Sequence, residues 1–244
     1  DIMMLQSYST IFEYAQEGFL ADLTNEAFME NIVNAAKKSV TYEGKAYALP
    51  LDMAGIGVVY NKDLFAKLGL EIPKTYSELK NVCKVISDNG FTPFALSIRE
   101  SWPLGHFISM AHTASIGDKL DAWLAEMNAG TGTFASEEMD KMFEVFDFFK
   151  ANGGDKAMEM DYNSSLNNFA SGSYGMMVQG LWAYGAAMKL NPTLNAGFFP
   201  FPFSDDPEQT KLYVDTDSTL AISATAPKEN IEAAKLFLNF LTSE

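Results

Sequence analysis

Short apolar runs punctuate the chain at residues 2–5, 46–49, 56–60, 94–96, 175–178, 197–199 and 220–222. Each has the length of a buried strand and is bounded by polar or turn-forming residues. Between them, apolar residues recur every three to four positions, the spacing of a helix with one buried face. The alternation predicts an α/β protein whose sheets are covered by helices.

The clearest helix starts at Thr75-Tyr76-Ser77-Glu78, a capping box in which hydroxyl and carboxylate satisfy free amides of the first turn, and closes at Asn89-Gly90. Leu79, Val82, Cys83 and Ile86 fall on one face of it, so the single cysteine reads as a buried structural thiol. A second helix begins near Ser136, sets Glu137 and Glu138 against the positive end of its dipole, and buries Met142, Phe146 and Phe149 before Asn152-Gly153-Gly154. A third runs from about Pro227 to Leu241, with Ile231, Ala234, Leu238 and Leu241 as the apolar face and Glu229, Glu232 and Lys235 as the wet one. The chain shows neither an internal repeat nor a flexible low-complexity linker, so any two lobes are joined by short crossovers.

At 244 residues, 48% of them hydrophobic and 20% charged, the chain is long and apolar enough for one large or two modest globular domains. Its 17 Lys+Arg against 32 Asp+Glu give a formal net charge of -15, and Lys37-Lys38 is the one adjacent basic pair. That balance repels nucleic-acid backbones and anionic membranes. No apolar stretch of membrane-spanning length occurs, and the chain opens in mid-strand, so a signal and the first structural units are expected upstream of Asp1.

Catalytic and cofactor signatures are missing. His106 and His112 are six residues apart, face different sides of a helix, and belong to no His-Glu-x-x-His motif. Gly55-Ile56-Gly57 lacks the third glycine of a dinucleotide loop and runs into a strand, and there is neither a phosphate-cradling loop nor a Gly-x-Ser-x-Gly elbow. No cofactor or metal is expected. Asp52, Asp215 and Asp217 sit at strand ends, where carboxylates either flank a glycosidic bond as acid and base or simply accept hydrogen bonds from hydroxyls and amides.

The stretch Tyr42-Glu43-Gly44-Lys45-Ala46-Tyr47-Ala48-Leu49-Pro50, followed by Val59-Tyr60-Asn61-Lys62-Asp63-Leu64-Phe65, resembles the signature of family 1 extracellular solute-binding proteins, which include the maltose-binding type. Further segments follow in that family's order: Phe169-Ala170-Ser171-Gly172 leading to Gly175-Met176-Met177-Val178-Gln179-Gly180-Leu181-Trp182, then Leu220-Ala221-Ile222-Ser223. The last are Ala233-Ala234-Lys235-Leu236-Phe237-Leu238 and Leu241-Thr242-Ser243-Glu244. Physically, Gly44 suits a turn before a strand, Pro50 ends that strand, and Asn61 caps a short helix closed by Gly69.

The resemblance implies a two-lobed, type II periplasmic-binding-protein-like α/β architecture, truncated at both ends relative to the family. Residues 1–53 and 218–244 would form the first, incomplete lobe and 54–217 the second, with a ligand cleft between lobes and crossings near 51–55 and 214–219. It further implies a monomer outside the cytoplasm, periplasmic or lipid-anchored as a lipoprotein. Such a protein captures a sugar or short oligosaccharide by lobe closure and hands it to the permease subunits of an ABC transporter. A glycoside hydrolase using Asp52 and Asp217, or a carbohydrate-binding surface or chemoreceptor protein, are the alternatives.

A sugar site needs aromatic platforms and side chains that bond hydroxyls in pairs. Trp182, at the family's Gly-x-Trp position, is the expected stacking residue, and Asp52 and Asp217 are the expected carboxylates, with Asp215 beside them. Gln6, Ser7 and Tyr8 follow the opening strand, and Arg99 and Trp102 follow the strand at 94–96, on the rule that ligands bind at the carboxyl ends of parallel strands. Arg99, as a buried guanidinium, would favour an acidic sugar or glycerol phosphate. It would equally serve neutral hydroxyls or pair with Glu100, and a neutral oligosaccharide is the first expectation.

Overall fold

The computed structural model describes residues 1–243; Glu244, the last residue of the final family-like segment, and the side chains of Thr113 and Asp118 lie outside the described residues. The chain begins β1 (Ile2–Gln6), α1 (Ser9–Gln16), α2 (Asn34–Lys38), β2 (Thr41–Tyr42), β3 (Lys45–Ala46), β4 (Ala48–Pro50) and β5 (Met53–Asn61). It continues α3 (Lys62–Leu68), α4 (Tyr76–Asp88), β6 (Thr92–Ala95), α5 (Ser101–Ile116), α6 (Leu120–Asn128), α7 (Glu137–Asn152) and α8 (Tyr162–Ala170). The last elements are β7 (Tyr174–Gly180), α9 (Leu181–Leu190), β8 (Ala196–Phe199), β9 (Tyr213–Thr216), β10 (Ser218–Ile222) and α10 (Lys228–Leu241). Two compact units result, one from Asp1–Ala54 with the chain from Val214, the other from Gly55–Tyr213.

The first unit is built on a sheet of order β1-β10-β4. Both pairings are antiparallel, with Ile2 opposite Ile222, Gln6 opposite Ser218 and Pro50 opposite Thr219. Ile11, Leu23, Phe28, Val40, Leu49, Ile222 and Leu238 make its core. The run at 46–49 is not one strand: β3 pairs with β2 as a hairpin, and β4 joins the sheet. Glu43 and Gly44 form the tip of that hairpin at φ 48 and 78, the positive dihedrals that a two-residue turn requires and glycine adopts freely.

Helix α10 is anchored by Ala234 and Leu238. Leu241 is 43% exposed; the buried stripe ends one turn earlier, because the core offers Leu241 no partner among the described residues. Leu236, Phe237 and Phe240 are exposed too. Lys235, expected on the wet face, bridges Glu26 at 2.8 Å and Glu232 at 3.5 Å.

The second unit is built on a sheet of strand order β6-β7-β5-β8. β6 and β7 are parallel, whereas β5 runs antiparallel to β7 and β8. Strand alternation deals successive residues to two cores. Val58, Phe94 and Met176 face α4, α5 and α7 through Leu79, Ile86, Phe107, Val145 and Phe149. Val59, Ala95 and Met177 face α8 and α9 through Leu166, Phe169, Ala183 and Ala187. A sheet covered on both faces is why these strands read as unbroken apolar runs.

Local signals act as their chemistry dictates. The capping box at Thr75 and Glu78 forms both of its bonds. Asn61 Oδ1 accepts from Leu64 N at 3.0 Å, and Gly69 ends α3 in the left-handed region at φ 66. Ser136 Oγ accepts from Met139 N to start α7, where Phe146 is only half-buried beside the buried Met142 and Phe149. Gly57 is a glycine for a packing reason: a Cβ there would lie 2.7 Å from the Phe199 carbonyl oxygen.

Candidate functional site

In the first unit the ends of β1 and β4 meet the start of β10. Leu51 N donates to Ser218 O at 2.9 Å, and Asp52 Oδ1 accepts from Ser218 N at 3.0 Å. Ser7 Oγ donates to Thr216 O at 2.7 Å. Tyr8 donates its hydroxyl to Asp215 Oδ1 at 2.9 Å, an oxygen that also accepts from Thr216 N at 2.8 Å. Gln6 lies across from Ser218 at the strand edge. Asp217, between Thr216 and Ser218 in the chain, is half-buried. Gln6, Ser7, Tyr8, Asp52, Asp215 and Asp217 are thus gathered at one polar edge of the unit.

That edge is not the carboxyl end of a parallel strand, as the sequence argument for Gln6 to Tyr8 assumed, because β1 and β10 are antiparallel. Two buried threonines join these residues around the start of β10. Thr219, fully buried, donates Oγ1 to Leu5 O at 2.8 Å and ties β10 to β1. Thr216 is also buried, and its Oγ1 has no hydrogen-bond partner. Tyr8 holds φ 58 and ψ -108, a conformation costing a non-glycine residue on the order of 1–3 kcal/mol.

In the second unit Trp182 sits in the first turn of α9, half-buried and packed against both cores. Its ring centroid lies 5.4 Å from that of His106. His106 is 5.8 Å from Trp102, which is 4.9 Å from Tyr162. These rings form a continuous aromatic row contributed by α9, α5 and α8. The glycine of Gly-x-Trp makes the row possible, since a Cβ on Gly180 would fall 2.1 Å from the indole. His106 and Tyr162 were not expected here; spacing along the chain carries no signal that α5 and α8 bring them together.

Arg99 is exposed rather than buried. Its backbone N–H donates to Met160 O at 3.2 Å. Asp161 sits below the usual carboxylate range chiefly because Ser164 hydrogen-bonds it, with the Arg99 charge adding a smaller pull. Glu100 does not partner Arg99, since its Oε2 accepts from Tyr162 N at 2.6 Å and helps cap α8. Solvent around the guanidinium removes the reason to favour an anionic ligand.

The second unit also has a small, mostly apolar pocket of about 30 Å³ beside Leu96, Ser97, Leu104, Phe107 and Phe149, too small for a sugar. Among the described residues no cluster of His, Cys, Asp or Glu could hold a metal ion. Cys83 is buried and its thiol is pushed up by desolvation, which leaves no thiolate for nucleophilic chemistry.

A family model described as bacterial extracellular solute-binding protein matches residues 1–244. The chain belongs to that family. The multiple sugar-binding protein of Streptococcus mutans is 25% identical to this solute-binding protein over 237 residues, covering 95% of this chain and 55% of the relative. The diacetylchitobiose binding protein DasA of Streptomyces coelicolor is 28% identical, with 95% of this chain and 54% of the relative covered. Among solved structures, the SBP RafE in complex with raffinose superposes with TM-score 0.83 at 25% identity, covering 98% of this chain and 63% of that one. The chain spans about half the length of these curated relatives. Its two-unit α/β architecture is therefore that of the solute-binding proteins.

Proposed function

We propose that this solute-binding protein is the extracytoplasmic ligand-capturing component of an ABC importer, and that it binds a neutral sugar or short oligosaccharide without altering it. The observation that carries the reading is that two relatives aligned over 95% of this chain bear the names of a multiple sugar-binding protein and a diacetylchitobiose binding protein. The geometry agrees with it in kind. A sugar offers flat apolar faces and many hydroxyls; the second unit presents the row Trp182, His106, Trp102 and Tyr162, and the first presents Asp52, Asp215 and Asp217 with Gln6, Ser7 and Tyr8.

Of the two carboxylates that a glycosidase would use here, Asp52 and Asp217, Asp52 already accepts from the Ser218 amide, a role that suits a hydrogen-bond acceptor better than an acid or base, and no observation favours a glycosidase. The partners in this reading are the carbohydrate and the membrane permease subunits. The protein acts as a monomer outside the cytoplasm, periplasmic or lipid-anchored.

Calorimetric titration against raffinose, maltotriose, diacetylchitobiose, a uronate oligosaccharide and glycerol phosphate tests the proposal. Saturable binding of a neutral sugar recovered unchanged is the expected result. A folded protein that binds none of them, or that releases cleaved products, overturns it.

A further inference from the structure

Two residues other than glycine have positive φ among the described residues, Tyr8 and Glu43. Glu43 belongs to the tip of the β2–β3 hairpin, where the turn demands that dihedral. Tyr8 stands in the tight turn between the end of β1 and the first turn of α1. Glycine would adopt this backbone without strain. A tyrosine kept there points to a use for its side chain.

The surroundings over-determine the conformation. Tyr8 N donates to Ser39 O at 2.8 Å, and Tyr8 O accepts from Phe12 N at 2.8 Å. The ring meets Phe12 edge-on at 6.1 Å. So held, the hydroxyl reaches Asp215 Oδ1, 207 residues away in sequence, while the neighbouring Ser7 Oγ grips the carbonyl of Thr216. Oδ1 accepts from both Tyr8 and Thr216 N, and two bonds to one oxygen stop rotation of the carboxylate.

We infer that Tyr8 is a positioning residue for ligand capture: its strained backbone holds the hydroxyl that fixes the Asp215 carboxylate in orientation before ligand arrives. The inference rests on the sugar-binding reading above. Preorganisation of this kind raises affinity by removing the cost of ordering the acceptor during binding. Phenylalanine would keep the ring contacts and the strain and lose only the hydroxyl, so it isolates the role.

The test is titration of wild type, Tyr8→Phe, Asp215→Ala and the double variant with raffinose, maltotriose and diacetylchitobiose, alongside thermal unfolding of each. Tyr8→Phe is expected to weaken binding about 3- to 10-fold, the worth of one such hydrogen bond, at an unchanged unfolding midpoint. Added to Asp215→Ala, it is expected to cost nothing more. Equal affinity of wild type and Tyr8→Phe overturns the inference, as does a fall in midpoint with affinity intact. Additive losses in the double variant also overturn it, because Tyr8 would then touch ligand independently of Asp215. A wild type that binds none of the three sugars sinks the sugar-binding reading itself, an outcome visible without any variant.

Discussion

The indole of Trp182 occupies the space that a side chain on Gly180 would need: Cζ3 lies 2.1 Å from where a Cβ would be. The Gly-x-Trp pair is thus one device, in which the strand-ending glycine lets the ring fold back over the first turn of α9. Gly180→Ala is expected to displace the ring and destabilise the protein by about 1–3 kcal/mol, the usual cost of overpacking. Urea unfolding measures the loss, and a shift in tryptophan emission reports the displacement. An unchanged spectrum and stability would contradict this geometry.

Trp182→Ala removes the ring at one end of the aromatic row. If that row is the sugar platform, affinity for the bound oligosaccharide falls about tenfold or more, whereas His106→Ala, which leaves both indoles in place, costs less. Calorimetry on the two variants gives the order directly, and a reversed order would move the platform away from Trp182.

Cys83 is buried in the face that α4 turns to the core, and desolvation raises its thiol. A thiol-specific chromogenic reagent at pH 8 is expected to find no reactive group in the native protein and one per chain after guanidinium unfolding, since only the thiolate reacts. Rapid native labelling would mean that α4 opens locally.

His112 lies edge-on to Trp123 with ring centroids 4.4 Å apart, and its Nε2 is buried without a hydrogen-bond partner. Burial depresses its pKa below the ordinary imidazole value of 6.5, so the unfolded chain takes up the proton first as pH falls. Stability from the neutral ring is fully present above the unfolded value and is lost as pH drops through 6.5 towards the lower folded value. Unfolding free energy measured between pH 7.5 and 5.5 should therefore decline in wild type and decline less in His112→Phe. Parallel profiles would show that His112 is not protected.

Thr75 and Glu78 cap α4 reciprocally, with Glu78 N donating to Thr75 Oγ1 at 3.2 Å and Thr75 N to Glu78 Oε2 at 3.2 Å. Thr75→Ala should cost about 1 kcal/mol in chemical unfolding, with oligosaccharide affinity unchanged.

Interactions that are short in sequence were legible in it. The capping box at Thr75, the Asn61 cap and Gly69 stop of α3, and the Ser136 start of α7 each join residues at most a few turns apart, so residue type alone specifies them. The α/β class follows from run lengths, because strands buried on both faces must be apolar throughout. The ordered family-like segments carried the sugar-binding expectation.

What the tertiary structure decided depends on pairings that no local pattern encodes. Antiparallel pairing of β1 with β10 sets Gln6 opposite Ser218, and only that register brings Tyr8 to Asp215 and Ser7 to Thr216. The packing of α5 against α8 and α9 assembles His106 and Tyr162 with the two tryptophans. The exposure of Arg99 and of Leu241 follows from what lies beside them, not from their own chemistry. Sequence carries the local and periodic terms of the energy; the positions of side chains distant along the chain are set by the cooperative packing of the whole core.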